Sequence, residues 1–412
     1  MRRVVITGMG TVSSTGMGTD NFWENIKSGK HGFHPIKSFD TTDFDVKYAA
    51  EIQDWDPIAH GIPKKEARRQ DLFCQYAVAA ANEAIADAGS FAEDLDPYRI
   101  GVIVGSGIGG FQTIETDHTK YLERGAERIS VFFVPMMISN IAGGRIAIDH
   151  GFKGDNFCPV SACASGAHAV GEAFRKVKYG SLDAVVTGGA EAAISRFALG
   201  GFNNMGALTR GGDPDRLSIP FDKERSGFVM GDGAGVLVLE EYEHAKARGA
   251  RIYAEVVGYG ATDDAFHITS PDPEGTGSAK AMEFAIREAG ISPADVDYVN
   301  AHGTSTDLND KYETKAIKTV FGDHAYKLAV SSTKSMTGHL LGAAGAIEAI
   351  ICAKALEEGL LPPTIGYRVP DEECDLDYIT EGTRKADARY AISNSLGFGG
   401  HNATLAFRKY EG

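Results

Sequence analysis

The chain has no apolar stretch fit to cross a bilayer. The longest, residues 340–356, is interrupted by Glu348 and Lys354 and is rich in Gly and Ala, which predicts a buried helix and no membrane partner. After Met1-Arg2-Arg3 the apolar run Val4-Val5-Ile6 stops at Thr7 and Gly8, too short for the core of a secretory leader, so a cytoplasmic protein is expected. The five cysteines, Cys74, Cys158, Cys163, Cys352 and Cys374, show neither metal-ligand spacing nor a C-x-x-C pair; free thiols are expected, and no metal. Positive charge is also short. With 41 Lys and Arg against 56 Asp and Glu the net charge is −15, which argues against nucleic acid, whose phosphates call for clustered basic side chains. No low-complexity tract or Pro-rich linker divides the 412 residues, so any two parts should be packed together rather than tethered.

What is present is an ordinary globular composition, 43% hydrophobic and 24% charged, with 50 glycines that imply many tight turns. Short β-branched runs at 4–7, 100–104, 184–187, 236–239, 296–300, 328–331 and 390–393 alternate with helical segments, a rhythm that indicates α/β layers. A charged helix at 240–248 precedes a new strand at 252–257, which places the boundary between two halves, 1–250 and 251–412, near Ala250. The halves echo each other. Cys163 is followed by Gly166 and Glu172, and His339 by Gly342 and Glu348, at the same offsets in Ala-rich surroundings. The segments 102–107 and 298–303 form a second echo, with an insertion at 111–140 in the first half. A duplication would set Cys163 and His339 at matching helix starts.

Cys163, in Val160-Ser161-Ala162-Cys163-Ala164-Ser165-Gly166, falls at the start of a small-residue helix, where the helix dipole favours thiolate. A lone cysteine among alanines is otherwise a core hydrophobe, and Cys74, Cys352 and Cys374 are read that way. His302 opens His302-Gly303-Thr304-Ser305-Thr306 at a strand's carboxyl end, where α/β proteins place their sites. Lys334 and His339 lie in 331–339, just before the Ala-rich helix. Gly397-Phe398-Gly399-Gly400 allows backbone N–H groups to aim at a developing oxyanion. The turn Gly105-Ser106-Gly107-Ile108-Gly109-Gly110 formally matches the dinucleotide fingerprint but lacks the acidic residue that ends a second strand. It could line a pocket instead.

These four motifs occur in the order and spacing of the elongating β-ketoacyl-acyl-carrier-protein synthases, which the chain resembles over nearly its whole length. The resemblance implies a thiolase fold, two duplicated α/β halves in a five-layered α-β-α-β-α core, in a homodimer. It implies that Cys163 takes an acyl group from a carrier protein, with the N–H groups of Cys163 and Phe398 as the oxyanion hole. Malonyl-carrier protein then loses carbon dioxide beside His302 and His339. Lys334 is implied to pair with Glu313; Glu348, in an apolar helix, needs a partner, and a structural monovalent cation belongs to some relatives. No other cofactor is implied. Ile108, Phe133 and Phe202 match acyl-pocket positions, and Thr269, Ser270, Thr304 and Thr306 match pantetheine contacts. Asp307 and Gly206 depart from the family pattern at a usual Pro and a frequent carrier-binding Arg. Carrier docking is left to Lys64, Lys65, Arg68 and Arg69, with Arg124 and Arg128 of the neighbouring subunit. A polyketide ketosynthase would use the same residues. A thiolase would need a second catalytic Cys near 397–400, and a non-catalytic chain-length factor would lack Cys163.

Overall fold

The computed structural model describes residues 1–412. Its first half contributes strands β1 (Val4–Ser13), β2 (Ile100–Gly105), β3 (Asn156–Phe157), β4 (Ala184–Glu191) and β5 (Gly233–Glu241). The second contributes β6 (Ala254–Asp263), β7 (Tyr298–Asn300), β8 (Ala329–Ser331), β9 (Tyr390–Gly397) and β10 (His401–Lys409). Each β-branched run lies in or overlaps one of them. The two-residue β3 has no apolar alternation to announce it, nor has the two-residue strand Gly16–Met17 that pairs with the end of β1, and the sequence suggested neither.

The sheet runs β8-β7-β9-β10-β6-β1-β5-β4-β2-β3. Outward from its middle, each half repeats one order: first, fifth, fourth, second, third strand. Directions repeat as well. β4, β2 and β3 are parallel neighbours, as are β9, β7 and β8, whereas β5 and β10 run antiparallel to β4 and β9. The halves join along a short ladder in which 4–6 pair with 254–256.

Among the helices, those that build the layers and the insertion are α1 (Leu72–Ala88), α2 (Phe111–Arg124), α3 (Phe133–Met137), α4 (Ile141–His150), α5 (Ser165–Lys178), α6 (Thr276–Ala289), α7 (Asp307–Phe321) and α8 (Ala344–Glu358). α1 covers β1, β5 and β4; α6 covers β6, β10 and β9; α5 and α8 lie between and touch strands of both halves. This is the expected five-layered α-β-α-β-α thiolase architecture. α8 is buried on every side from Ala344 to Leu356, as its Ala- and Ile-rich sequence requires, and Glu348 and Lys354 are buried with it. The outer layers press close through glycine. A Cβ at Gly10 would lie 2.0 Å from the Ala80 carbonyl oxygen, and one at the equivalent Gly260 would lie 1.9 Å from that of Ala281.

The echo is real but out of register. Ala162 (φ +50°) and Leu341 (φ +47°) open matching 3-10 turns, Ala162–Ala164 before α5 and Leu341–Ala343 before α8. Cys163 therefore corresponds to Gly342, and His339 lies ahead of its turn. The left-handed residue sets the helix start, and the shared Gly and Glu spacing does not. The insertion holds α2 and α3, which have no counterpart between β7 and α7.

Candidate active site

The backbone turn at Ala162 delivers Cys163 to the head of α5. Ser165 caps that turn: its Oγ accepts from the Ser161 N–H at 2.9 Å and donates to the Ala162 carbonyl at 2.7 Å. Burial pushes the thiol up to about 12, against the opposing pull of the Lys334 ammonium. The resting group is therefore the thiol, and the α5 dipole lowers the cost of ionising it during attack.

His302 leaves the end of β7 on a turn whose backbone is held from α7. The N–H groups of His302 and Gly303 donate to the two oxygens of Glu313 at 2.7 and 2.8 Å, and Asn394 adds a third donor at 3.2 Å. His339 is fixed by its N–H to the Val229 carbonyl, 2.7 Å away. The two imidazoles meet edge to face with centroids 5.2 Å apart, and Phe228 stands edge-on to His339 at 5.1 Å. Burial, and then the Lys334 charge, hold both rings well below the usual histidine value, so both are neutral at pH 7. Each keeps a buried Nδ1 without a hydrogen-bond partner.

The implied pairing of Lys334 with Glu313 is not what forms. Glu313 is spent on the His302 turn, and the Lys334 ammonium pairs instead with Glu348, both fully buried. Glu348 thus finds its required partner, though burial still pushes its carboxyl up to about 7. Its second oxygen has no partner, nor do Asn300 Oδ1 and Ser393 Oγ, which face each other across β7 and β9. No cluster of three His, Cys, Asp or Glu side chains suits a multivalent metal.

One cavity of 280 Å³ is lined by Cys163, His302, His339 and Phe398. Phe202, Thr269, Ser270, Thr304 and Thr306 are among its other lining residues. Gly397 presses on the nucleophile turn, where an added Cβ would lie 3.3 Å from the Cys163 nitrogen. Cys163 and Phe398, the residue after Gly397, both line the cavity. Ile108 lies in an adjoining groove of 1020 Å³ that shares Phe202. Phe133 lines neither space and is half-buried on α3, contrary to its expected place in the acyl pocket of its own chain. Neither Phe228 nor Glu191, at the end of β4, stands in a motif that marks it from sequence alone. Glu191 accepts the Gly107 and Ile108 N–H groups, which explains the false dinucleotide fingerprint: a carboxylate fills the place of a phosphate.

Lys64, Lys65, Arg68 and Arg69 are all exposed, but the helix there spans only Lys64–Ala67, too short to range them along one face. Arg69 stacks on Phe132 at 4.9 Å, so this segment adjoins the insertion that also carries the exposed Arg124 and Arg128.

The Lys334–Glu348 pair makes stability depend on pH. Lys334→Met leaves Glu348 buried alone, and its carboxyl rises further above 7. An elevated acid is tolerated while protonated and costs more as pH rises through the range of ionisation. The variant should lose roughly 3–5 kcal/mol at pH 8 and recover part of this at about pH 5.5, as read from thermal unfolding at both values. A gap that does not change with pH would sink this account.

The family profile described as "Beta-ketoacyl synthase, N-terminal domain" matches residues 1–245, and "Beta-ketoacyl synthase, C-terminal domain" matches 253–368. The chain is 51% identical to the 3-oxoacyl-[acyl-carrier-protein] synthase 2 of Staphylococcus aureus and 49% identical to that of Synechocystis sp., covering 100% of this chain and 99% of each relative. Among solved structures it is similar to a polyketide ketosynthase in complex with its acyl-carrier protein and bound to the hexaketide. That match has a TM-score of 0.92 and 33% identity, and covers 99% of this chain and 100% of that one. With both domain profiles matched and half of its residues shared over full length, the chain belongs to the β-ketoacyl synthase family.

Proposed function

We infer that this chain joins an acyl group held on Cys163 to malonyl-acyl-carrier protein, releasing carbon dioxide and 3-oxoacyl-acyl-carrier protein in fatty acid chain elongation. The observation that carries the reading is the gathering of Cys163, His302 and His339 on one small cavity. The identity of about half to fatty acid synthases favours that pathway over polyketide assembly. Cys163 attacks the acyl thioester, and its proton leaves on the departing pantetheine sulfur, so the first half-reaction needs no net acid. The N–H groups of Cys163 and Phe398 are suited to the tetrahedral oxyanion. Malonyl thioester then gives up its carboxylate as carbon dioxide. The electron pair left behind forms an enolate, whose oxygen accepts hydrogen bonds from the neutral imidazoles of His302 and His339. The carbanion attacks the acyl carbonyl, and the released Cys163 sulfur takes up one proton.

This division separates the half-reactions. Cys163→Ala should abolish both acylation and condensation. His302→Ala and His339→Ala should lower malonyl decarboxylation roughly a hundredfold or more while retaining self-acylation, read by carbon dioxide release and intact mass. Equal loss of both half-reactions in each histidine variant would reject the assignment.

We further propose that the functional unit is a homodimer. Val131 and Val134 of the insertion are 89% and 58% exposed, and the edge strand β3 leaves Phe157 uncovered. A second copy would cover this face and bring Phe133 of the partner subunit to the open groove at Ile108. Sedimentation at micromolar concentration should show a dimer that Val134→Asp dissociates; a wild-type monomer there would refute it.

The carrier protein is acidic in this reading, and the chain's own net charge of −15 would repel it, so encounter depends on a local basic patch. Lys64, Lys65, Arg68 and Arg69 supply one. Charge reversal at Lys65 and Arg69 should raise the apparent KM for acyl-carrier protein about tenfold, more at low salt, and spare small acyl thioesters. Equal impairment of both substrates would mean that the segment supports the fold and does not dock the carrier.

A further inference from the structure

Glu191 is fully buried at the end of β4 and lines neither the catalytic cavity nor the groove beside it. Its carboxylate takes four donors from two segments. From the turn after β2 come the Ser106 hydroxyl at 2.9 Å, the Gly107 N–H at 2.7 Å and the Ile108 N–H at 3.3 Å. From the turn that follows His339 comes the Gly342 N–H at 3.0 Å. The two turns touch: a Cβ at Gly342 would lie 2.3 Å from the Gly107 nitrogen and 2.6 Å from Glu191 Oε2. Burial pushes the carboxyl up to about 7, against the four donors that favour the anion. Its charge raises the Cys163 thiol, so it gives the nucleophile no help.

We propose that Glu191 is a positioning residue that fastens the Ile108 turn of the acyl groove to the Gly342 turn behind His339, so that acyl-chain selection and malonyl decarboxylation depend on one carboxylate. Both oxygens are needed. Oε2 alone receives Gly107 and Gly342, one from each turn, while Oε1 receives Ser106 and Ile108. A glutamine would turn one acceptor into an NH2 group that faces backbone donors, and one or both turns must shift. This rests on the condensing activity inferred above, and the wild-type enzyme's own condensation is the control for that.

Glu191→Gln tests the link, with every rate expressed per Cys163 able to accept an acyl group, counted by intact mass. A residue that only supports folding would lower the number of such sites and leave each site's behaviour unchanged. The proposal expects two changes at each remaining site. Malonyl decarboxylation falls about tenfold, equivalent to roughly 1.4 kcal/mol of barrier, and the ratio of acylation by hexanoyl to dodecanoyl thioester shifts by about threefold. Unchanged values of both at each site overturn it, as does a change in one without the other. Should Glu191→Gln not fold, Ser106→Ala removes one of the four donors and must produce the same paired shifts at smaller size; their absence there overturns it equally.

Discussion

The two central helices begin against each other, and that contact is possible only because the residues at the crossing have no side chains. A Cβ at Gly189 would lie 2.4 Å from the Gly342 carbonyl oxygen, one at Gly166 2.8 Å from the same atom, and one at Gly345 2.7 Å from the Ala167 nitrogen. Backbone meets backbone, so the turn that ends in Cys163 and the turn that follows His339 share one small volume. The left-handed Ala162 and Leu341 bend the chain into that volume from opposite halves. Such residues cost of order 1 kcal/mol or more and persist where packing on all sides holds them.

Charge at this centre follows from the same closeness. One ammonium, Lys334, is buried beside Glu348 and lies within electrostatic reach of Cys163, His302 and His339. Burial, with this charge as the second cause, keeps the imidazoles neutral. Three carboxylates divide the remaining work. Glu348 balances Lys334, Glu313 fixes the His302 turn, and Glu191 fixes the turns at Ile108 and Gly342.

Much of this was legible beforehand because chemistry-bearing residues sit in short, ordered motifs. Cys163, His302, Lys334, His339 and Phe398 were each named from a local sequence, and four of the five line one cavity with Lys334 behind them. Lys334 was given the wrong partner because Glu313 and Glu348 are both carboxylates on helices, and nothing local tells which one spends its oxygens on backbone. Phe228 and Glu191 were missed for a related reason. Phe228 follows Gly227 on an irregular loop and Glu191 ends a strand, and each matters only through what another segment brings against it.

By itself the sequence determined the alternation of strands and helices, since apolar period and β-branched runs act over a few residues. It also marked the candidate reacting groups, since a cysteine at a helix start, two imidazoles at segment ends and a glycine turn are recognisable where they stand. The tertiary structure alone decided the register of the duplication, the pairing of Lys334 with Glu348, and that Ile108 lines the groove beside the catalytic cavity while Phe133 lines neither space. Those depend on distances between residues more than ten positions apart in the chain, and such distances follow from how whole layers pack, a quantity that no local pattern contains.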